Sequence, residues 1–485
     1  MIAKIVNMSI TLARVPHQHK VAFVKPLLKK PTLDHTLKNY RPVSNLSFIS
    51  KLVEGVVNKQ LNEHLDFNNL SEPLQSAYKS HHSTETAVIK VFDDVLSCID
   101  KKNHAVYMAL LDLSAAFDTV DHTILLARLE KTFGVTNTAL EWFRSYLTGR
   151  SMKVCIDGTF SNAAELTVSV PQGSKLGPRL YSDYTQPLGT LIRTLSLMYH
   201  LYADDSQIIT EAVISSAENQ SSACESLQSG IAAIQNWMNS NRLKLNPDKT
   251  EFIIITSARN MDKIVTNTLD LGDYQIKRAS SVRNLGVIMD SSLNMEEHVL
   301  KVCQVCYFYI SWVRKIRHIL DETSAKAIIH ALVISRLDYC NALLAGLPDG
   351  LLQKLQRVMN TAGRVVTGFP RDSSASNMLK HLHWLPIKQR VEFKVAVMVF
   401  RATQGSAPQY ICDLISACTS SRNLRSQANQ LLHVPRTRTR YGDRAFSRLG
   451  PRVWNNLPVR VRQSPNEKQF RKALKCFLFQ QAFSI

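Results

Sequence analysis

Three aspartates follow apolar runs that are typical of buried strands. Asp112 ends the run from Val106 to Leu111, and Asp204 and Asp205 follow the mostly apolar segment 197–202. We expect two neighbouring strands to bring these carboxylates into one strongly negative pocket, which is unstable unless divalent cations neutralise it. The pattern predicts two Mg²⁺ ions, with Mn²⁺ as an alternative, held by Asp112, Asp204 and Asp205. Such ions activate a 3′-hydroxyl and stabilise a leaving phosphate oxygen, so the chemistry indicated is nucleotidyl transfer.

An aromatic residue, Phe117, lies five positions beyond Asp112, where the chain turns away from the predicted strand. A ring at this place closes the space that a ribose 2′-hydroxyl needs, which would select deoxynucleotides. The alternative is an ordinary core aromatic, which Phe117 alone would indicate. Asp118 and Asp121, in the same segment, are interpreted as structural.

A segment rich in proline and glycine, Val170 to Pro178, permits a tight backbone pass close to a ligand. Within it, Gln172 and Gly173 are candidates for contact with the incoming nucleotide or the template base. The same composition taken alone is that of a surface turn.

Cationic side chains that suit a triphosphate lie in two other segments. Lys249, in Asn246 to Thr250, is placed to neutralise phosphate charge and to protonate the departing pyrophosphate. Lys29, Lys30 and Arg41 are predicted to hold the triphosphate from the other side. A surface lysine in a turn is the alternative for Lys249.

The composition favours a polyanionic partner. The 485 residues contain 59 Lys and Arg against 39 acidic residues, a net charge of +20, which promotes phosphate contacts. The length suits two or three domains. No apolar run approaches a membrane span, and the nine cysteines are expected to be reduced, in a protein that is not secreted. A generically basic protein is the alternative.

Hydrophobic periodicity predicts the elements that position these residues. Strands are expected at 21–24, 152–156, 252–255 and 282–289, and a basic loop at 25–30. Helices are expected near the N-terminus, at 50–65, after Ser83, at 123–133 and 138–147, around 227–238, and in most of the chain beyond 295. Cys303 and Cys306 then fall in a helix and are interpreted as core thiols rather than zinc ligands. Gly368 to Ser374 is a predicted linker.

Together and in this order, these segments resemble the reverse transcriptases of non-LTR (LINE-type) retrotransposons, of the CR1/L2/Jockey-like group. The matching segments lie at 25–30, 39–54, 75–78, 82–87, 110–122, 170–178, 202–205, 241–250 and 284–287. The tail resembles the C-terminal region of the same elements at 383–386 and 449–458. The resemblance therefore covers nearly the whole chain.

The resemblance implies an α+β right-hand polymerase with fingers, a palm with an antiparallel sheet, and a helical thumb. We expect fingers in residues 1–105, palm in 106–290 (a reverse transcriptase domain of about 5–290), thumb in 295–368 and a mainly helical basic region in 375–485. It implies RNA-directed DNA synthesis from dNTPs with Mg²⁺, extending a DNA primer or nicked target DNA on an RNA template. Asp112, Asp204 and Asp205 match metal ligands, and Arg41, Phe117, Gln172, Gly173 and Lys249 match other motif positions.

Three residues depart from the pattern, because Lys175, Arg179 and Asp183 stand where relatives generally carry apolar residues. Unpaired buried charges would cost several kcal/mol there, although Arg179 and Asp183 are spaced to pair along a helix. If they do not pair, the copy is decaying.

Polymerase-like sequence begins almost at Met1, so we expect no endonuclease domain, and nicking would need another chain or domain. The alternative function is a catalytically decayed, truncated copy that at most binds nucleic acid, through the tail with eight arginines between Arg436 and Arg462. A third class is a structural protein. A ribonucleoprotein in the nucleus, the cytoplasm or both is the expected location.

Overall fold

A computed structural model describes residues 1–114, 117–272, 274–370, 372–418 and 430–483. The chain divides into two compact units. The first comprises residues 1–78, 110–208 and 227–250, and the second comprises 79–109, 209–226 and 251–485. Within the described residues, no helix is both long and apolar enough to cross a lipid bilayer.

Strands and helices alternate through the first 290 residues, and helices dominate thereafter. In the described residues the strands are β1 (Val21–Leu28), β2 (Tyr40–Asn45), β3 (His104–Leu111), β4 (Leu113–Ser114), β5 (Arg150–Ile156), β6 (Thr159–Phe160), β7 (Ala164–Leu166), β8 (Met198–Tyr202), β9 (Asp205–Val213), β10 (Lys244–Leu245), β11 (Glu251–Thr256), β12 (Thr268–Asp270), β13 (Gln275–Ala279), β14 (Ser281–Asn284) and β15 (Val287–Asp290). The helices are α1 (Ile2–Thr11), α2 (Phe48–Phe67), α3 (Thr84–Ile99), α4 (His122–Lys131), α5 (Asn137–Leu147), α6 (Gly177–Thr194), α7 (Ala217–Ser240), α8 (Glu296–Ile316), α9 (Glu322–Ile329), α10 (Ser335–Leu337), α11 (Asp349–Thr367), α12 (Ala375–Leu382), α13 (Ile387–Thr403), α14 (Gln409–Cys412), α15 (Phe446–Asn455), α16 (Val459–Arg462) and α17 (Glu467–Phe483). The α+β class is confirmed.

Side-chain caps fix several helix starts in the way the sequence predicts. Ser83 Oγ accepts a hydrogen bond from Thr86 N while Thr86 Oγ1 accepts one from Ser83 N, a reciprocal capping box at the start of α3. Asp121 Oδ1 accepts from the backbone N–H groups of Thr123 and Ile124 and caps α4. The structural interpretation of Asp121 thus agrees with its contacts.

The first unit contains a sheet with the order β2-β1-β5-β6, with β7 also paired to β5. The predicted basic loop at 25–30 is wrong in its extent, because β1 continues to Leu28. Pro26 is tolerated because it lies beyond the β5 register, which ends at Val24, and faces Pro42 in β2. The basic loop therefore starts at Lys29.

In the second unit, strands follow the order β12-β13-β11-β3-β9, and β14 pairs with β15. The strand predicted across 282–289 is in fact a hairpin. Leu285 and Gly286 adopt φ values of +45° and +86°, and Asn284 pairs with Val287 across the turn. A left-handed pair of this kind reverses the chain, so one apolar run became two strands.

Helices built around α3 form much of the second unit. Tyr410 Oη donates to Thr86 Oγ1 at 2.9 Å, Asp93 Oδ1 accepts from Ser447 N at 2.7 Å, and the carboxylate of Asp100 accepts from Thr439 N at 2.7 Å. Residues 79–109 therefore pack with the C-terminal part of the chain.

Several arginines of the tail have structural contacts. Arg444 donates to the carbonyl of Leu293 at 2.7 Å, Arg448 donates to Ser97 Oγ at 2.8 Å, and Arg462 is buried. The predicted linker at 368–374 lies between α11 and α12, with Arg371 outside the described residues. Cys303 and Cys306 are buried on α8, where burial raises the pKa of Cys306 to about 12.

The charged residues that depart from the family pattern are accommodated. Arg179 and Asp183, both buried on α6, form an ion pair at 2.6 Å, and Arg179 also donates to Ser71 Oγ at 2.9 Å. Lys175 is exposed, while its backbone N–H donates to Glu54 Oε2 at 2.7 Å. The expectation that these charges are buried is thus wrong for Lys175, and the expected pairing of Arg179 with Asp183 is confirmed.

The Asp183→Ala variant should be less stable by about 3–5 kcal/mol, because it leaves the Arg179 guanidinium buried without its carboxylate. Urea unfolding of the full chain measures the change. The matched double variant Arg179→Met/Asp183→Leu should recover most of the loss, since no unpaired charge remains. A single variant within 1 kcal/mol of the wild type would contradict this role for the pair.

Candidate active site

The two adjacent aspartates, which both belong to the first unit, lie in a tight turn between the consecutive strands β8 and β9. Residues 203 and 204 connect β8 to β9, and Asp205 is the first residue of β9. Ala203 has a φ of +56°, a left-handed conformation that lets two residues reverse the chain. The turn thus presents Asp204 and Asp205 at the ends of the two strands.

A buried glutamine holds this turn. Gln75 Oε1 accepts hydrogen bonds from the backbone N–H of Ala203 at 3.0 Å and of Ala77 at 2.9 Å. Around it, Leu201 N donates to Leu74 O and Ser76 N donates to Leu201 O, both at 2.9 Å. The segment 74–77 therefore runs beside β8 and fixes the turn through one amide side chain. The sequence match at 75–78 pointed to this segment, but the role of Gln75 was not predicted.

The third aspartate, Asp112, directly follows β3 and is tied to the segment that carries Lys249. β4 pairs antiparallel with β10, with Leu113 opposite Leu245, and Asn246 N donates to the carbonyl of Asp112 at 2.9 Å. Lys249 Nζ then reaches Asp112 Oδ2 at 2.9 Å. The structure therefore brings Lys249 and Asp112 together, as a predicted shared site requires.

The three carboxylates influence one another electrostatically. Burial, followed by the charges of Asp204 and Asp112, raises the pKa of Asp205 to about 6, and Lys249 opposes this shift. The pKa of Asp204 is raised by burial and then by Asp112, while Lys249 and Arg41 oppose the shift. Without added positive charge, Asp204 and Asp205 hold protons more tightly than ordinary carboxylic acids, so a cation that neutralises them is favoured.

The donor set fits a hard divalent cation, because it consists of carboxylate oxygens under mutual repulsion. Among the described residues, no His, Cys, Asp and Glu side chains form a group of three or more that could hold a metal ion. Asp112 Oδ2 is engaged by Lys249, so this ammonium supplies positive charge at the carboxylate.

Gln172 and Gly173 lie in a loop whose backbone is fixed closely against β2. Ser44 N donates to the carbonyl of Gln172 at 2.8 Å, and Gln172 Nε2 donates to Asp118 Oδ1 at 2.9 Å. Gly173 has a φ of +112°, and a Cβ there would lie 2.6 Å from Ser44 O, so only glycine fits. Asp118 thus orients Gln172, a structural role of the kind predicted.

The half-buried ring of Phe117 stacks on Tyr181 of α6, with centroids 4.7 Å apart and planes at 25°. Tyr181 is fully buried, and burial followed by the charge of Asp204 raises its pKa well above the usual range. Tyr181 therefore lies under Phe117 and near the aspartates. Sequence reasoning missed it, because an aromatic in a helix is most often core.

The three other predicted phosphate ligands, Arg41, Lys29 and Lys30, are exposed. The charge of Arg41 affects the pKa of Asp204, so Arg41 lies near this aspartate. Arg41, in β2, lowers the pKa of Asp204 and lies opposite Leu27 of β1. Lys29 and Lys30 follow β1, with Lys29 N donating to the carbonyl of Asn39 at 2.8 Å. Arg41 is thus near the aspartates, whereas the contacts described for Lys29 and Lys30 place them in the β1–β2 connection.

The Gln75→Ala variant should reduce metal-dependent nucleotide addition about 10- to 100-fold, because two backbone N–H groups lose their acceptor and the turn loosens. Gln75 touches no reacting atom, so it acts as a positioning residue. Steady-state kinetics at several metal concentrations should show a lower kcat and a higher metal requirement. Ser76→Ala is the control, since that side chain contacts His200 instead. A loss confined to stability, with unchanged kcat, would rule out the positioning role.

The part of the chain that contains the predicted site residues also matches a known protein family. The sequence pattern of the family "Reverse transcriptase (RNA-dependent DNA polymerase)" matches residues 28–289, which is more than half of the chain. Among solved structures, apo telomerase from Candida tropicalis aligns with a TM-score of 0.43 and 12% identity, over 84% of this chain and 72% of that chain.

Two curated relatives of the chain come from Drosophila melanogaster. The "Probable RNA-directed DNA polymerase from transposon BS" is 24% identical over 80% of this chain and 43% of its own length. The "RNA-directed DNA polymerase from mobile element jockey" is 25% identical over 62% of this chain and 32% of its own length. The chain spans less than half the length of these relatives. The predicted resemblance is confirmed, and the chain belongs to the reverse transcriptase (RNA-dependent DNA polymerase) family.

Proposed function

We propose that this chain is an RNA-directed DNA polymerase of a non-LTR retrotransposon, which extends a DNA 3′-hydroxyl on an RNA template. The observation that carries the proposal is the set of three aspartates at strand ends, in which Asp112 and Asp204 both raise the pKa of Asp205. Family membership supports this assignment. The ion pair of Arg179 with Asp183 removes the sequence argument for a decayed copy.

Reverse transcriptases generally use divalent metal ions. For this chain we propose two Mg²⁺ ions, or Mn²⁺ in their place, held by Asp112, Asp204 and Asp205. When bound, the ions supply Lewis-acid activation of the primer 3′-hydroxyl and stabilise charge on the leaving oxygen. Gln75 supports the geometry of two of these ligands, because it fixes the backbone of the turn that bears them.

Lys249 is the proposed proton donor to the departing pyrophosphate. Its ammonium lies 2.9 Å from Asp112 Oδ2, so it is positioned at the site before a nucleotide binds. A triphosphate carries more negative charge than one carboxylate and competes for this ammonium. Lys249 then donates its proton as the bond to the leaving phosphate breaks.

The remaining predicted residues define a proposed nucleotide pocket. Arg41, with Lys29 and Lys30, holds the triphosphate, while Gln172 and Gly173 approach the base or sugar. Phe117 closes the space beside the 2′-carbon. The support for the last assignment is that the Phe117 ring is held against Tyr181.

We further propose the division expected from the sequence, with fingers in 1–105, palm in 106–290, thumb in 295–368 and a basic region in 375–485. The proposed partners are an RNA template, a DNA primer or nicked target DNA, and dNTPs, with the endonuclease supplied by another chain or domain. A ribonucleoprotein in the nucleus, the cytoplasm or both suits these partners. The support is the net charge of +20, which favours nucleic-acid binding.

Primer extension tests the function. The purified chain is incubated with an RNA template annealed to a labelled DNA primer, dNTPs and Mg²⁺, with EDTA in a parallel reaction. We expect template-directed extension that EDTA abolishes. Retained RNA binding with no extension in either Mg²⁺ or Mn²⁺ would instead support the non-catalytic alternative.

A further inference from the structure

A cavity of about 460 Å³ lies within the second unit, and none of its lining residues is among those assigned to catalysis. Its walls come from the start of α3, the segments around α10 and α12, and helices α13 and α17. The lining includes residues 383–385, part of a segment that matched the family's C-terminal region. The volume falls in the range of small-ligand sites.

The rim of the cavity carries more positive than negative charge. Five cations line it: Arg390, Lys394, Arg401, Arg471 and Lys475. Arg390 pairs with Asp338, Lys394 pairs with Glu85 at 2.9 Å, and Arg401 and Arg471 share the one carboxylate of Glu467. Within the described part of the chain, no ion pair involves Lys475. Three carboxylates thus face five cations.

The surplus of positive charge affects the pKa of a neighbouring histidine. The pKa of His330, which also lines the cavity, is lowered by burial and then by the charges of Arg390, Lys326 and Lys475, against Asp338 alone. A positive potential of this kind attracts an anion. Phosphate is an anionic group that Lys and Arg bind well, Arg through its planar fork and Lys as a point charge.

The deeper part of the cavity has polar atoms that lack partners. Among the described residues, Trp384 Nε1, Asn341 Oδ1 and one carboxylate oxygen of Glu85 are buried without a hydrogen bond, and all three residues line the cavity. Trp384 and Asn341 are 3% and 2% exposed. Unpaired buried polar atoms cost free energy, so a ligand that offers both donors and acceptors is favoured.

An anion without hydrogens, such as sulfate or chloride, satisfies only the rim, because it has no donor for Asn341 or Glu85. A nucleotide satisfies both parts, since its phosphate is anionic and its base edge carries N–H donors and carbonyl or ring-nitrogen acceptors. Apolar side chains of Leu385, Phe393 and Val397 also line the cavity and suit the faces of a base.

We propose that this cavity binds one nucleotide of a single-stranded nucleic acid, with the base against Trp384 and Asn341 and the phosphate at Arg471 and Lys475. The site is separate from Asp112, Asp204 and Asp205 and requires no polymerase chemistry. A single strand is favoured over a duplex, because a paired base leaves the stack only at a cost of a few kcal/mol.

Fluorescence anisotropy of the full chain with a labelled single-stranded RNA tests the rim. Lys475→Gln should weaken binding about three- to fivefold and lower the slope of log affinity against log salt by about 0.7, as expected for one lost phosphate contact. Lys472→Gln is the matched control, an exposed lysine on the same helix that does not line the cavity. Equal effects of the two variants would overturn the proposal in favour of general attraction to a basic surface.

Trp384→Phe tests the interior, because it keeps a ring but removes the N–H donor. We expect about fivefold weaker binding, as for one lost hydrogen bond, with an unchanged salt slope. Cross-linking of 4-thiouridine RNA, read by mass spectrometry, should identify peptides within 383–401 and provides a result independent of any change in stability. Cross-links only elsewhere, or an unaffected affinity in Trp384→Phe, would exclude base insertion.

Competition with the labelled RNA distinguishes the proposed single-stranded nucleic acid from other possible ligands of the cavity. Uridine 5′-monophosphate that displaces RNA at micromolar concentration would assign the cavity to a free nucleotide, and poly-glutamate that does so would assign it to an acidic peptide. Either result would overturn the single-strand proposal. The Asp204→Asn/Asp205→Asn protein should retain the cross-link, so failure of this site and failure of the polymerase are separable.

Discussion

The Asp204→Asn variant is expected to lower primer extension by about three orders of magnitude or more, the scale of effect expected when a ligand of a catalytic metal is lost. Asparagine keeps the shape and one oxygen acceptor but removes the charge. Asp204 and Asp112 each raise the pKa of Asp205, so the variant should also relieve repulsion and leave the fold intact. Single-turnover extension on an RNA template measures the rate.

Asp157→Asn is the matched control for this experiment. Asp157 is an exposed aspartate of the first unit, in the turn between β5 and β6, with a φ of +50° that asparagine tolerates. Its extension rate should equal that of the wild type, and both variants should bind RNA as well as the wild type does. Extension by Asp204→Asn within tenfold of the wild type would refute the assignment of Asp204 as a metal ligand.

The Phe117→Ala variant is expected to raise the ratio of ribonucleotide to deoxynucleotide addition on the order of 100-fold, the upper range for a steric pocket contact. The reason is geometric, because the ring is held by stacking on Tyr181 at 4.7 Å and cannot easily move aside for a 2′-hydroxyl. The measurement is kcat/KM for matched ribo- and deoxynucleotides on one primer–template.

Two further variants distinguish between the two interpretations of Phe117, as a residue that excludes the 2′-hydroxyl and as an ordinary core aromatic. Phe117→Tyr keeps the ring and should keep the selectivity, whereas Tyr181→Ala removes the support under Phe117 and should relax it partly. The core interpretation predicts instead that Phe117→Ala lowers the addition of both nucleotides equally. An unchanged ratio in Phe117→Ala would therefore support that alternative.

The aspartates and their strands were predictable, since apolar runs that end in carboxylates are local patterns. β3 ends at Leu111 directly before Asp112, and β8 and β9 flank the turn with Asp204, as the sequence indicates. α2 and α5 also lie within a few residues of their predicted bounds. Local periodicity and capping carry this information.

Contacts between distant segments were not predictable in the same way. The pairing of Lys249 with Asp112 depends on the short β4–β10 ladder, and neither two-residue strand has a detectable period. The acceptor role of Gln75 depends on a segment more than 120 residues from Ala203 in sequence. Tyr181 gave no signal beyond being aromatic. Such contacts are set by tertiary packing, which a single sequence does not reveal.

The place of α3 has a consequence for where this protein can be divided. Residues 28–289 match the family, yet α3 lies in that range, and α3 with its C-cap Asp100 accepts hydrogen bonds from Tyr410, Ser447 and Thr439. Every residue from Thr86 to Phe92 except Lys90 is buried. Cutting the chain near residue 290 would expose the apolar side chains of this helix to water. The fragment would therefore be prone to aggregation. The boundary of the family match is therefore not a boundary of independent folding, because residues beyond it supply hydrogen-bond partners of α3.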